Sequence, residues 1–347
     1  MEIGEGDESE HLAREAVRNH MRILRRAHGQ VVITESPSEP MLAIAAAVAL
    51  NDSIQTYQTA VSTLVNRLSC DFVLDRGMQG ELCIRLLFTL ARDRAVQPFV
   101  KSRMVQAVSL SQFSCTLLGD DLGIRDGELR DSFLSRSSNI WIDFTHFVQL
   151  SEAVTELTTA YLLEAWSSGI AFQCAPLQPV MDGFLVCYIG KLGEQFDIGN
   201  LTVIPWQTKP RLQAALANLG AKLTAPSITN TVDGKTIRRK APPLVICMDL
   251  GTSTPFQHNN GHVNLTFLAP TSPTKRTWDE YARDNEQEEP EQFCLNIRGH
   301  KSSTYRVMEH FNYELSTLFR RFLVCEDFAE FLDAMDEDMQ RCVPGEE

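Results

Sequence analysis

Asp182-Gly-Phe-Leu-Val-Cys-Tyr-Ile189 and Leu201-Thr-Val-Ile-Pro-Trp-Gln-Thr-Lys209 are the two runs whose reading decides the fold. Each is a short, nearly continuous apolar segment bounded by polar residues, the pattern of a strand covered on both faces. A third run, Ile170-Ala-Phe-Gln-Cys174, precedes them across a turn holding Pro176 and Pro179. Before that, Thr155 to Trp166 has helical spacing. Downstream, Pro210 to Gly220 predicts a short amphipathic helix, and Leu244-Val-Ile-Cys-Met248 and Phe293-Cys-Leu-Asn-Ile297 predict two more buried strands. Tyr305 to Leu332 is again helical in pattern, and Asn139 to Val148 favours a strand. Alternation of this kind predicts an α/β (α+β) domain with a mixed central sheet flanked by helices.

Working outward, the first part of the chain reads as helices. Ala13, Val17, Met21 and Leu24 recur at helical spacing within Glu8 to His28, beside Arg14, Arg18, Arg22 and Arg25. Asp7 with Glu10 has the form of a capping box. Gln30 to Thr34 is a short extended link. Met41–Leu50, Ser53–Ser69, Gly80–Asp93 and Lys101–Ser109 are further candidate helices. The organisation expected is an acidic disordered tail over 1–7, a helical subdomain over 8–135, and an α/β domain over 136–332. A polar insertion lies near 271–292, and an acidic tail covers 333–347.

The 347 residues are 44% hydrophobic and 22% charged, enough for a sizeable core. No apolar run reaches the roughly 18 residues that a membrane span needs. The formal net charge of −13 disfavours a dedicated nucleic-acid binder, although a basic cleft and a protein partner both stay open. The nine cysteines include no Cys-x-x-Cys spacing, and most sit among apolar residues. Free thiols of this kind, with an acidic N-terminus unlike a secretory leader, predict an intracellular protein, cytoplasmic or nuclear.

The order helix, strand, Asp at a strand start, then Gln-x-Lys at a strand end suits metal-dependent phosphodiester chemistry. A hard divalent cation such as Mg²⁺ prefers carboxylate, carbonyl and water oxygens. Asp182 is the expected primary ligand, with the Gln207 amide and the Thr208 carbonyl completing the set. Lys209 lies on the same strand face as Gln207, placed to hold the attacking water or the scissile phosphate. Gln207 and Lys209 are the candidate catalytic pair. Glu164 is a candidate carboxylate behind the ligands. Trp206 and Arg211 are candidates for nucleic-acid contact. The competing reading makes Asp182 a turn cap and Lys209 a surface charge.

This arrangement resembles the PD-(D/E)xK nuclease superfamily in its Gln-x-Lys form. More narrowly, the chain resembles an uncharacterised protein family expanded in basidiomycete fungi. The residues that carry the likeness are Gly80 to Ala95, Phe144-Thr-His-Phe147, the Gln173 to Ile189 block, and Tyr305-Arg-Val-Met308. The resemblance implies a restriction-endonuclease-like fold. It also implies a third strand that is apolar throughout and ends in Gln-Val-Lys. Pro205 and Thr208 depart from that pattern. An active Mg²⁺-dependent nuclease and a decayed copy serving as an interaction or regulatory module therefore both stay open.

Other motifs are less specific. Val245-Ile-Cys-Met-Asp-Leu-Gly-Thr-Ser-Thr254 looks like the first phosphate loop of actin-like ATPases, but its position argues against that, and a strand ending in a turn is the favoured reading. His258 and His262 share a polar loop. His146 reads as a core histidine. Lys235 to Lys240 is a basic cluster in a loop, and Val232-Asp-Gly-Lys235 is a hairpin turn signal.

Overall fold

The computed structural model describes residues 2–3, 23–28, 31–35, 46, 53–71, 76–96, 107–154, 156–176, 178, 181–191, 193–209, 227–229, 231–232, 235–236, 242–250, 255–256, 262–268, 292–311, 313, 315–316 and 318–319. Strands β1 (Glu2–Ile3), β2 (Ile23–His28) and β3 (Val31–Glu35) form a small antiparallel sheet of order β1-β3-β2. The end of the helix expected over Glu8–His28 is thus a strand. The β-branched run Val31-Val-Ile-Thr34 favours extended backbone, and the two-residue Gly29-Gln30 link suits a hairpin. Residues 8–22 lie outside the described residues, so the capping box and most of the arginine stripe do as well.

Helices α1 (Ile54–Asp71) and α2 (Arg76–Ala95) follow, then β4 (Val108–Ser109), α3 (Leu110–Leu118) and α4 (Gly127–Ser137). A reciprocal capping box starts α3. Its Gln112 amide donates to Ser109 Oγ at 3.2 Å, and the Ser109 amide donates to Gln112 Oε1 at 3.3 Å. The strand expected over Asn139–Val148 is two strands, β5 (Ile140–Ile142) and β6 (His146–Gln149). Next come β7 (Glu156–Thr158) and α5 (Thr159–Ser167), with Thr158 as N-cap. The remaining strands are β8 (Ile170–Gln173), β9 (Gly183–Ile189), β10 (Leu201–Thr208), β11 (Ser227–Thr229), β12 (Thr231–Val232), β13 (Lys235–Thr236), β14 (Leu244–Asp249), β15 (Val263–Leu268) and β16 (Gln292–Arg298). The hairpin signal at Val232–Lys235 is met by the antiparallel pair β12–β13.

A mixed nine-stranded sheet, flanked by helices, organises the molecule. Its main path runs β15-β16-β14-β10-β9-β5-β4. The first half of β9 pairs with β8 and its second half with β5, so the sheet forks there, and β6 extends it beside β8. Strand β10 is antiparallel to β9 and parallel to β14, and β14 is parallel to β16. All eight residues of β10 are buried, as expected of a strand covered on both faces.

Alternation along the strands divides the core in two. Leu185, Ile204, Trp206, Ile246 and Leu295 face one way and pack with Ile84, Leu87 and Phe88 of α2. Phe184, Val186, Val203, Val245, Cys247 and Cys294 face the other way and pack with Leu162 and Ala165 of α5. The helices α1 to α4 therefore contribute to the same apolar cluster as one face of the sheet.

Two residues of this centre have a specific physical reason. A Cβ at Gly183 would lie 2.3 Å from both the Phe172 carbonyl oxygen and Trp206 Cζ2, so the indole occupies the space that any other side chain would need. Pro205 is tolerated because of where its backbone points. The Trp206 carbonyl and the Thr208 amide face β9, so residue 205 turns its own amide position the opposite way, toward β14. Pairing with β14 begins only at Trp206, opposite Ile246. The missing donor thus falls at the open end of that ladder.

Candidate functional site

The candidate residues meet where β10 ends. Asp182 immediately precedes β9. Its amide donates to the Trp206 carbonyl at 3.0 Å, and its carbonyl accepts from the Cys174 amide at 2.8 Å. These bonds fix its backbone beside the last turn of the β9–β10 ladder. Asp182 Oδ2 then accepts the Thr208 amide at 2.6 Å. The carboxylate is therefore tied to the peptide that joins Gln207 to Thr208. By alternation, Asp182 shares the face of Phe184, while Gln207 and Lys209 share the face of Val203. All three side chains thus belong to the same face of the sheet.

Burial pushes the Asp182 carboxyl above the ordinary aspartate range, and the Thr208 amide and the Lys209 ammonium pull it back. Gln207 is 9% exposed, at the margin of the core. Lys209 is half-buried, and its amide donates to the Met248 carbonyl at 2.8 Å, which continues the β10–β14 ladder past the strand end.

The remaining candidates are placed differently. Trp206 is fully buried on the opposite face, edge-on to Phe88 with ring centroids 6.1 Å apart, so a stacking role on a base or sugar does not hold. The reason is the strand period, which turns residue 206 away from residues 205 and 207. Glu164 stands on the exposed side of α5, and the nearby group it influences is Tyr161 rather than Asp182. The Thr208 side chain is buried on the Trp206 face, and its Oγ1 has no hydrogen-bond partner among the described residues. Arg211 lies outside the described residues.

The expected Mg²⁺ is not matched by this donor set. Asp182 brings a carboxylate with one oxygen already engaged, and Gln207 brings a neutral amide. Among the described residues no group of three or more His, Cys, Asp and Glu side chains is arranged to hold a metal ion. Mg²⁺ keeps several waters and is held through one or two carboxylates, so a single carboxylate with one oxygen engaged is at the weak end of what it uses.

Several neighbours of the corner are not legible as such from the sequence. Gln173, the last residue of β8, donates through Nε2 to the Glu81 carboxylate of α2, 92 positions away. The next residue, Cys174, has its thiol pushed up to about 12 by burial, then by Asp182 and Glu81. On the far side of β10, Cys247 is in register with Gln207. Its thiol proton is held by the contact with Cys294 and by burial, and both Asp182 and Lys209 act on it. Cys247 and Cys294 share the face of Val203, and nothing in their sequence spacing places them together.

The other motifs resolve more simply. Strand β14 ends at Asp249 and turns at Leu250, whose carbonyl lies 3.0 Å from His300 Nδ1. Arg298 lies opposite Asp249 in register, with its guanidinium 4.0 Å from the centroid of the Phe256 ring. Residues 251–254 of the Gly-Thr-Ser-Thr run are outside the described residues, as are His258 and residues 237–240 of the basic cluster. His146 is half-buried on β6, with Nδ1 3.0 Å from Thr145 Oγ1. No protein-family model matches the chain, and neither a curated protein nor a solved structure matches it significantly.

Proposed function

We propose that the chain is a PD-(D/E)xK-like domain that has kept the sheet and the Asp182–Gln207–Lys209 corner of a nuclease and serves as a non-catalytic interaction module. Support for the ancestry comes from strand order. A helix (α5) leads into three antiparallel strands (β8, β9, β10), and a fourth strand (β14) returns parallel to β10. Asp182 at the start of the second strand and Gln207 with Lys209 at the end of the third then share one face.

The observation that carries the loss of hydrolysis is the donor set. One carboxylate, half engaged by a backbone amide, beside a neutral glutamine is a poor cage for Mg²⁺. A catalytic reading is favoured by a single feature, the half-buried Lys209 beside Asp182, which is where an ammonium can meet a phosphate oxygen.

The test is a cleavage assay on single- and double-stranded DNA and RNA with Mg²⁺ or Mn²⁺, using the wild type and Lys209→Ala. The expected result is no cleavage above buffer by either protein. Metal-dependent cleavage by the wild type that disappears in Lys209→Ala overturns the proposal and establishes the enzyme.

A further inference from the structure

The connection between β9 and β10 lies at the end of those strands remote from Asp182, about 23 Å away along the seven residues of β9. It is fixed at both of its ends. The Trp141 indole Nε1 donates to the Gly190 carbonyl at 2.8 Å, and the Gly190 amide donates to the Asn139 carbonyl at 2.9 Å. The Asp197 amide donates to the Tyr188 hydroxyl at 3.3 Å. The Asp197 carboxylate caps the 3-10 turn Ile198–Asn200 by accepting the Gly199 amide at 2.8 Å. Side chains between these bonds are therefore held out from a fixed frame, which lowers the ordering cost of binding to them.

Phe196 is the apolar side chain so displayed. Its ring stacks on Tyr188 with 16° between the planes and 4.9 Å between centroids, and Tyr188 in turn is 6.1 Å from Trp166 of α5. One face of Phe196 is thus covered, yet the residue is 47% exposed, so its other face looks outward. Leu163, one helical turn before Trp166, is exposed as well. Carboxylates surround this aromatic step. Glu194 and Asp197 are exposed on either side of Phe196 in the chain, and Glu164 is exposed on α5, which packs against the Ile198–Asn200 turn. Lys191 reaches Glu194 at 3.9 Å, but both side chains are largely in solvent and such a pair is weak.

The face of an aromatic ring carries negative potential, and carboxylates beside it add to the attraction for a cation. The same charges repel a phosphate backbone or an anionic membrane. Arginine suits both parts of the surface. Its planar guanidinium stacks on a ring while its edge N–H groups reach carboxylate oxygens. The chain makes this contact internally, where the Arg298 guanidinium lies 4.0 Å from the Phe256 centroid and Asp249 is level with Arg298 in register. Among the described residues no cation lies over Phe196.

We propose that Phe196, flanked by Glu194 and Asp197, is the docking point for an arginine side chain on a basic segment of a partner protein. The net charge of −13 draws such a segment in, and the ring with its carboxylates selects arginine from it. The surface is separate from the Asp182–Gln207–Lys209 corner, and it stands whether or not that corner cleaves nucleic acid.

The experiment measures, by fluorescence anisotropy at physiological salt, binding of the full chain to a labelled peptide of alternating arginine and glycine. A lysine–glycine peptide of equal charge is measured beside it. The arginine peptide is expected to bind more tightly than the lysine peptide. Phe196→Ala leaves every charge in place and is expected to weaken arginine-peptide binding about tenfold. Phe196→Leu restores apolar area without the ring and is expected to weaken it nearly as much. Glu194→Gln is expected to weaken it about threefold. Circular dichroism checks the fold of each variant. The proposal is overturned if the arginine peptide does not bind, or if both peptides bind equally. It is also overturned if Phe196→Ala or Phe196→Leu binds as the wild type does, since diffuse charge then accounts for the attraction. Sedimentation of the wild type alone is the last arm. A dimer that Phe196→Ala dissolves would give this place to a second copy of the chain and overturn the proposal, whereas a monomer is the expected result.

Discussion

Trp206 and Gln207 are neighbours in the chain and belong to different regions of the molecule. Trp206 is enclosed between α2 and the sheet, edge-on to Phe88 and filling the space above Gly183. Gln207 is at the margin of the core on the other face, level with Asp182 and two residues from the half-buried Lys209. The first region is a close-packed apolar contact in which every neighbour is fixed by another. The second is a polar corner held by hydrogen bonds to backbone amides and carbonyls. The first region carries close packing and the second the candidate site, although a single peptide bond separates them.

The largest expected effect tests the packed region. Trp206→Ala is expected to destabilise the protein by about 4 kcal/mol, the range for emptying a large buried aromatic site. Gly183→Ala is expected to cost about 2–3 kcal/mol through overpacking, because the new methyl meets the Phe172 backbone as well as the indole. Urea denaturation measures both. A loss below about 1 kcal/mol for either would mean that the two faces are not packed differently in the way described.

A smaller effect separates two half-buried carboxyls, Asp143 near α2 and Asp182 at the corner. Asp143, after β5, lies 3.7 Å from Arg92 of α2, and burial raises it to about 6, with Arg92 opposing. Arg92 in turn pairs with Asp93 at 3.2 Å, and the Tyr57 hydroxyl of α1 donates to Asp93. With Asp143 raised from 3.8, the folded chain keeps a proton that the unfolded chain has lost. Stability is therefore fully present below about pH 4 and falls as pH rises toward 6. Asp182 is shifted in the same direction and adds to the same slope. Asp143→Asn is expected to flatten the fall between pH 4 and 6, measured as denaturation midpoints across that range. An unchanged slope would assign it to Asp182 instead.

The smallest expected effect is at the corner itself. Lys209→Ala is expected to change stability by no more than about 0.5 kcal/mol, since its ammonium is half-buried and its fixed contact is a backbone bond that alanine keeps. A much larger loss, read by the same urea titration, would make Lys209 a structural residue rather than a site residue.

Much of the sheet was legible in the sequence. The strands at Gly183–Ile189, Leu201–Thr208, Leu244–Asp249 and Gln292–Arg298 are continuous apolar runs, and burial on both faces is what such runs require. The helix Arg76–Ala95 was legible from its amphipathic middle. Other elements were not. Val263–Leu268 alternates apolar and polar residues at a sheet edge beside a polar loop, so its signal is half as dense. Ile23–His28 carries two arginines and an alanine, which suit a helix equally, and pairing with Val31–Glu35 decides its form. At the corner, Asp182 and Lys209 were legible as a pair, whereas the face of Trp206 depends on a parity that Pro205 obscured. Glu81 and Cys294 reach their neighbours only through tertiary packing, which no local spacing encodes.

The change of strand direction at β10 also bears on how the chain folds. Strands β8, β9 and β10 are close in sequence and antiparallel, so their pairing closes only short loops. Strands β14 and β16 join parallel to β10 after long intervening segments, and parallel pairing of that kind pays loop-closure entropy before any contact repays it. The β8–β9–β10 meander is the part that can form early, and the Asp182–Thr208 bond lies within it. The Gln207 and Cys247 register must wait for β14. One half of the candidate corner is thus set by the first local pairings of the sheet, and the other half by its slowest.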